Sequence, residues 1–177
     1  MNIVYFDVES QKLFHEVGGR DASRLLLACG VTWSTARNDF AVYWEQDAPA
    51  LVSELKLADR VIGFNIIGFD YEVLKPYARQ ENFRTFRSTD LLQDIYRTLG
   101  FRLSLDSIAR ATLGTTKIAD GVQSVEWFRR GELDKVAEYC KSDVEITRRV
   151  HEFGRDNGFV NYYSKLGSKL RVAVNWR

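Results

Sequence analysis

The 177 residues predict an α/β layer architecture, and three observations carry that expectation. Residues 3–8 form a nearly continuous apolar run with a β-branched bias, the pattern of a strand buried on both faces at the centre of a sheet. Residues 25–33 and 38–44 are two further β-prone stretches whose link is short enough for a hairpin. From residue 91 onward the apolar spacing turns helical, with Gly100, Gly114 and Gly131 placed where helices end. Strands come first, alternating units follow, and helices close the chain, so an antiparallel hairpin is expected beside parallel strands in one sheet.

The elements follow in order. Residues 47–58 read as a helix, with Ala48, Leu51, Val52, Leu55 and Ala58 on one face and Asp47 available as N-cap. Residues 60–64 read as a strand, and residues 69–79 as the helix after it. Residues 83–89 are a strand candidate. Helices are expected over 91–99, 105–113, 122–129 and 133–153. Residues 159–166 and 169–176 are β-prone and flank Gly167-Ser168, a two-residue turn that favours a β-hairpin. The expected division is residues 1–153 as one domain and residues 154–177 as a basic hairpin extension packed on it.

Composition narrows the function classes. Hydrophobic residues make up 45% and charged residues 28%, which excludes a wholly disordered chain. A net charge of +1 argues against binding nucleic acid by being basic throughout. The charge is uneven, however: residues 1–80 hold 8 bases and 11 acids, residues 81–154 hold 12 and 12, and residues 155–177 hold 5 and 1. Cys29 and Cys140 are far apart and lack metal-type spacing, so a reducing compartment fits better than a disulfide scaffold. With no basic leader and no apolar run near the roughly 18 residues of a membrane span, a cytoplasmic protein is expected, with no membrane association.

Three groups of carboxylates could carry chemistry. Asp7 and Glu9 end the first strand two residues apart, so both side chains project from one face, about 7 Å apart along the chain. Like charges at a buried strand end need a cation, hydrogen bonds or shifted pKa values. Oxygen ligands of this kind suit Mg²⁺ or Mn²⁺. Asp143-Val144-Glu145 has the same spacing on a helix, where residues i and i+2 do not share a face. Asp70 follows the strand at 60–64, on the edge where ligands of open α/β sheets gather; alone, it could equally favour a helix N-terminus through the dipole. Asp143 lies in the apolar stripe Val136, Tyr139, Cys140, Val144 and Thr147, one turn after Tyr139. An acid on the packed side of a helix is costly unless paired or metal-bound.

In this order, the D-x-E of Asp7 and Glu9, the N-x-x-x-F-D from Asn65 to Asp70 and the Y-x-x-x-D of Tyr139 and Asp143 resemble the three motifs of DEDDy 3′→5′ exonucleases. These belong to the ribonuclease H-like superfamily. The resemblance spans about residues 1–153. It is nearest to the exonuclease domains of family B DNA polymerases and related stand-alone or helicase-linked exonucleases. The text between motifs is similar too, at residues 61–66 and at 105–109 with Leu113-Gly114. The DEDDh subgroup would have His five residues before Asp143, where this chain has Glu138. His15 and His151 fit no motif and are read as structural or surface residues.

The resemblance implies a three-layer fold whose mixed five-stranded sheet is flanked by helices. It implies two Mg²⁺ or Mn²⁺ ions roughly 3.5 to 4 Å apart. Asp7 would bridge them, Glu9 and Asp143 complete one site, and Asp70 hold the other partly through water. Tyr139 would orient the attacking water, since a phenol with pKa near 10 is a poor general base at neutral pH. Nucleic-acid contacts are expected from Ser10, Asn65 and Lys117. Phe69 is expected to pack and fix Asp70. Lys165, Lys169, Arg171 and Arg177 interleave with Tyr162, Tyr163 and Trp176, a mix that can track phosphates and stack bases, though edge hairpins also carry such cations merely to block aggregation.

The expected activity is release of nucleoside 5′-monophosphates from single-stranded or frayed 3′ ends, DNA rather than RNA, with a helicase or a replication or repair protein as partner. Two alternatives stay open: a catalytically silent nucleic-acid-binding or scaffold module, and a 3′→5′ exoribonuclease using the same chemistry.

Overall fold

The computed structural model describes residues 1–116 and 118–176. Lys117, a candidate nucleic-acid contact, and Arg177 lie outside the described residues. Five strands form one sheet: β1 (Ile3–Ser10), β2 (Leu27–Ser34), β3 (Asp39–Trp44), β4 (Arg60–Gly63) and β5 (Ser88–Asp90), in the order β3-β2-β1-β4-β5. β1 pairs antiparallel with β2 and parallel with β4. The sheet is therefore mixed, with β1 at its centre, as the apolar run predicts.

Alternation along β1 sorts the molecule into layers. Val4, Phe6 and Val8 point into one core, with Leu51, Val52 and Leu55 of α1 (Ala48–Leu57) and Tyr71 and Leu74 of α2 (Asp70–Leu74). Tyr5 points the other way. It joins Ile95 of α3 (Leu91–Leu99), Ile108 of α4 (Leu105–Leu113) and Val136, Cys140 and Val144 of α6 (Leu133–Asn157). Asp7 and Glu9 share the parity of Tyr5 and so face the α6 layer. α5 (Gly121–Arg129) precedes α6, with the Asp120 carboxylate capping it by accepting from Gln123 N–H at 3.0 Å. No helix among the described residues is long and apolar enough to cross a membrane.

Several expected elements take a different form. The helix predicted over 69–79 is α-helical only through Leu74 and ends in a 3-10 turn at Lys75–Tyr77, where Pro76 has no N–H to continue the ladder. Of the strand predicted over 83–89, only the end at β5 forms. Phe83–Thr85 is a 3-10 turn, started by the Asn82 side chain accepting from Arg84 N–H, and Phe83 and Phe86 stack around Tyr71 instead of joining a ladder. Asp47 stands at the N-cap of α1, but its carboxylate turns back to Trp44 N–H at 3.1 Å.

The C-terminal hairpin, β6 (Phe159–Tyr163) and β7 (Lys169–Ala173), forms a separate two-stranded sheet. Its turn is longer than the predicted Gly167-Ser168 pair. Tyr163 pairs with Lys169, Gly167 N–H donates to Ser164 O at 3.0 Å, and Gly167 takes φ 81°. The turn is closed by a left-handed glycine, which suits Gly167 better than a central position in a two-residue loop. Val160, Tyr162, Val172 and Trp176 are buried in the α6-side core.

Candidate active site

The C-terminal end of β1 opens into a cleft of about 480 Å³. Asp7 and Glu9 enter it from β1, Asp70 from the first residue of α2, and Tyr139 and Asp143 from successive turns of α6. All five motif residues thus line one cavity, although 136 positions separate the first from the last (143 − 7). Glu9, Asp70, Tyr139 and Asp143 are almost wholly buried.

Asp70 is fixed from the sheet. Its Oδ1 accepts from Val8 N–H at 2.9 Å, so the α2 residue is tied to the residue between Asp7 and Glu9. The bond turns the Asp70 carboxylate towards β1. The preceding loop closes tightly because a Cβ on Gly63 would overlap Ile66 and lie 2.9 Å from the Phe6 carbonyl oxygen. Asn65, at φ 68°, turns the chain.

Asp90 holds that loop, and the sequence reading missed it. Its carboxylate accepts from Asn65 N–H at 2.8 Å and Ile67 N–H at 3.0 Å, and also caps α3 through Leu92 and Gln93 N–H. An acid directly before a helical run is a capping signal, but nothing local links it to residues 65–67. Asp120, Leu13 and Phe14 also line the cleft without having been singled out. Phe69 meets Phe14 edge-on, with ring centroids 6.2 Å apart, so it packs as expected and also borders the cavity.

The electrostatics reflect carboxylates crowded in a buried place. Burial first, and then the nearby Asp7, push the Glu9 and Asp70 carboxyls well above the ordinary range. Ser124 of α5 faces Glu9 and partly offsets that rise. Tyr139 packs edge-on against Trp127, with centroids 6.3 Å apart. Burial raises its phenol far above the normal value, and Asp143, Glu9 and Asp7 raise it further; the hydroxyl hydrogen-bonds to Asp143.

One oxygen each from Asp7 and Glu9 lies within 4.8 Å of Cys140 Sγ, as in a metal-binding group. The thiol fits a structural part better. Burial raises its pKa, and Sγ donates to the Asp7 carbonyl oxygen at 3.3 Å. The neighbouring oxygen donors are hard ligands of the kind that take Mg²⁺ or Mn²⁺. Acids whose pKa values are raised by burial and by one another are what such a cation would relieve.

The other expected contacts divide by position. Ser10 and Asn65 line the cleft, with Ser10 Oγ donating to Lys12 O at 3.0 Å and Asn65 Oδ1 accepting from Arg102 Nη2 at 2.7 Å. Lys165, Lys169 and Arg171 sit on the hairpin and are not among the residues lining the cleft. Tyr162 and Trp176, expected to interleave with those cations, are buried instead. His151 is buried too: its Nδ1 is 2.9 Å from Tyr5 Oη, and its ring stacks on Trp176 with an interplanar angle of 18°.

A family described as the RNase_H superfamily, through its RNase_H_2 model, matches residues 4–153, and the chain belongs to that superfamily. No curated protein sequence matches it. In structure the chain is similar to a family B DNA polymerase from the hyperthermophilic archaeon Pyrobaculum calidifontis, with a TM-score of 0.67 and 18% identity. That match covers 87% of this chain and 24% of the polymerase chain, and at this identity it establishes the fold.

Proposed function

We propose that the chain is a metal-dependent 3′→5′ exonuclease that removes nucleoside 5′-monophosphates from single-stranded or frayed ends, DNA in preference to RNA. The observation that carries this reading is the convergence of Asp7, Glu9, Asp70, Asp143 and Tyr139 on one cleft from three elements. Asp7, Glu9, Asp70 and Asp143 would hold two Mg²⁺ or Mn²⁺ ions. When bound, the ions neutralise the acids and supply Lewis-acid activation of water and of the leaving 3′-oxygen.

The chain's own residues do the rest. Val8 N–H holds the Asp70 carboxylate in place, and Cys140 holds the β1 backbone at Asp7. Tyr139 orients the attacking water by hydrogen bonding and does not take its proton, because burial keeps the phenol protonated. Asn65 and Ser10, at the cleft wall, position the terminal nucleotide. The two buried free thiols accord with a reducing, cytoplasmic setting.

The test uses oligonucleotides labelled at the 3′ or the 5′ end, DNA and RNA side by side, with Mg²⁺ or Mn²⁺, with EDTA, and with Asp7→Ala. Stepwise 3′ loss should require the metal and Asp7. Loss that persists in EDTA or in Asp7→Ala would refute the mechanism.

A further inference from the structure

Folding of the hairpin gives the positive tail a definite geometry. Tyr163 pairs with Lys169, Asn161 with Arg171 and Phe159 with Ala173, so these six side chains share one face. The opposite face, with Val160, Tyr162 and Val172, is the one buried in the core. On the outer face the Arg171 guanidinium lies 4.2 Å from the centre of the Phe159 ring. Arg110 reaches across from α4 and lies 5.6 Å from the centre of Tyr163.

Arg110, Lys169 and Arg171 are exposed, and none has a carboxylate partner among the described residues. Several other cations are paired with acids: Arg37 with Glu54, Arg129 with Glu16, Arg148 with Glu145 and Glu152. Residues 157–177 contain no Asp or Glu, and Asp156, the nearest acid in sequence, is engaged by Arg155 at 2.8 Å. A surface of unpaired cations resting on aromatic rings is complementary to a polyanion that carries planar groups. The segment between α3 and α4 touches both the core-facing side of the hairpin and the cleft wall. Phe101, 47% exposed, meets Tyr162 edge-on at 6.0 Å, and its neighbour Arg102 donates to Asn65 in the cleft wall.

We propose that Arg110, Phe159, Tyr163, Lys169 and Arg171 form a second, sequence-independent binding face for single-stranded nucleic acid, which holds the strand whose 3′ end enters the cleft. A guanidinium stacked on a ring keeps its edge N–H groups for phosphate and its outer plane for a base. An acidic peptide would satisfy the cations but not use the two rings set along one strand. The purpose of the face rests on the nuclease reading, while its binding can be measured separately.

The test is the triple variant Arg110→Gln, Lys169→Gln, Arg171→Gln, whose positions are exposed and whose folding is verified by melting temperature. Binding of a fluorescein-labelled oligothymidylate is followed by anisotropy in EDTA over a salt series. Each phosphate contact on a single strand contributes about 0.7 to the slope of log K against log salt, so the slope should fall by about 2 in the variant. With Mn²⁺, the variant should show a raised KM on the long oligonucleotide, an unchanged kcat, and unchanged hydrolysis of a dinucleotide, which is too short to span both sites. An unaltered salt slope would overturn the proposal. So would an equal loss on the dinucleotide, or a face that binds an acidic peptide and not the oligonucleotide. Slope-dependent binding in EDTA without metal-dependent hydrolysis would instead refute the nuclease reading and leave the face standing.

Discussion

Burial of Tyr139 among carboxylates limits what that side chain can do. A phenol raised so far cannot act as a base near neutral pH, so Tyr139→Phe should keep metal binding and lose water positioning. A fall in kcat on the order of 10²-fold is expected, the scale of a small misplacement of a reacting group. Single-turnover kinetics with metal titration would separate the two effects. The kcat should not gain an acidic or alkaline limb from the phenol in the measurable range. His151 supports a different prediction. Burial lowers its pKa from 6.5 to about 4, so the folded chain holds the ring neutral where the unfolded chain would protonate it. The unfolded state then binds more protons, and stability falls as pH drops from 6.5 towards 4, by roughly 3 kcal/mol in full. Urea unfolding over this range should show the slope in the native protein and a shallower one in His151→Gln. The motif residues were legible in the sequence because spacing along a strand or helix fixes a shared face. His151 was not, since a lone histidine carries no sign of the Tyr5 hydroxyl and the Trp176 ring that enclose it.

At the level of elements, Asp90 shows how one side chain can hold two segments. Its four backbone donors belong both to the start of α3 and to the loop that delivers Asp70. Asp90→Ala should cost about 1–2 kcal/mol from the lost cap alone, and more from the stranded Asn65 and Ile67 amides. A lowered melting temperature should be accompanied by a lowered kcat, because Asp70 loses its support; Asp90→Asn, which keeps one acceptor, should recover part of both. The central strand and the long helices were predictable from apolar periodicity, which survives any packing partner. The segment 83–89 was not, because its aromatic residues look the same whether they fill a ladder or stack on Tyr71. The hairpin was expected, but its turn was misplaced. Gly167-Ser168 alone cannot show that Ser164 and Ser168 bond across the loop.

Across the whole molecule, the sheet and α6 press acids together, and a divalent ion should relieve the strain of that crowding. Mn²⁺ at about a hundred times its Kd should raise unfolding stability by about 2.7 kcal/mol through mass action. Calorimetry should show the melting temperature rising with Mn²⁺, returning in EDTA, and unresponsive in Asp7→Ala. An equal response in that variant would place the ion elsewhere. The net charge of +1 then describes the protein without ions, and its uneven distribution takes on meaning: acids at the cleft, unpaired cations on the hairpin.

The α/β order, the strand end bearing Asp7 and Glu9, and the helical turn joining Tyr139 to Asp143 could be read from residue spacing, because they depend on backbone periodicity within one segment. Packing between distant segments set Val8 against Asp70, tied the loop to Asp90, and brought Arg110 to the hairpin cations while Tyr162 and Trp176 turned inward. Those outcomes depend on which faces of distant elements meet, and no local spacing encodes the partner.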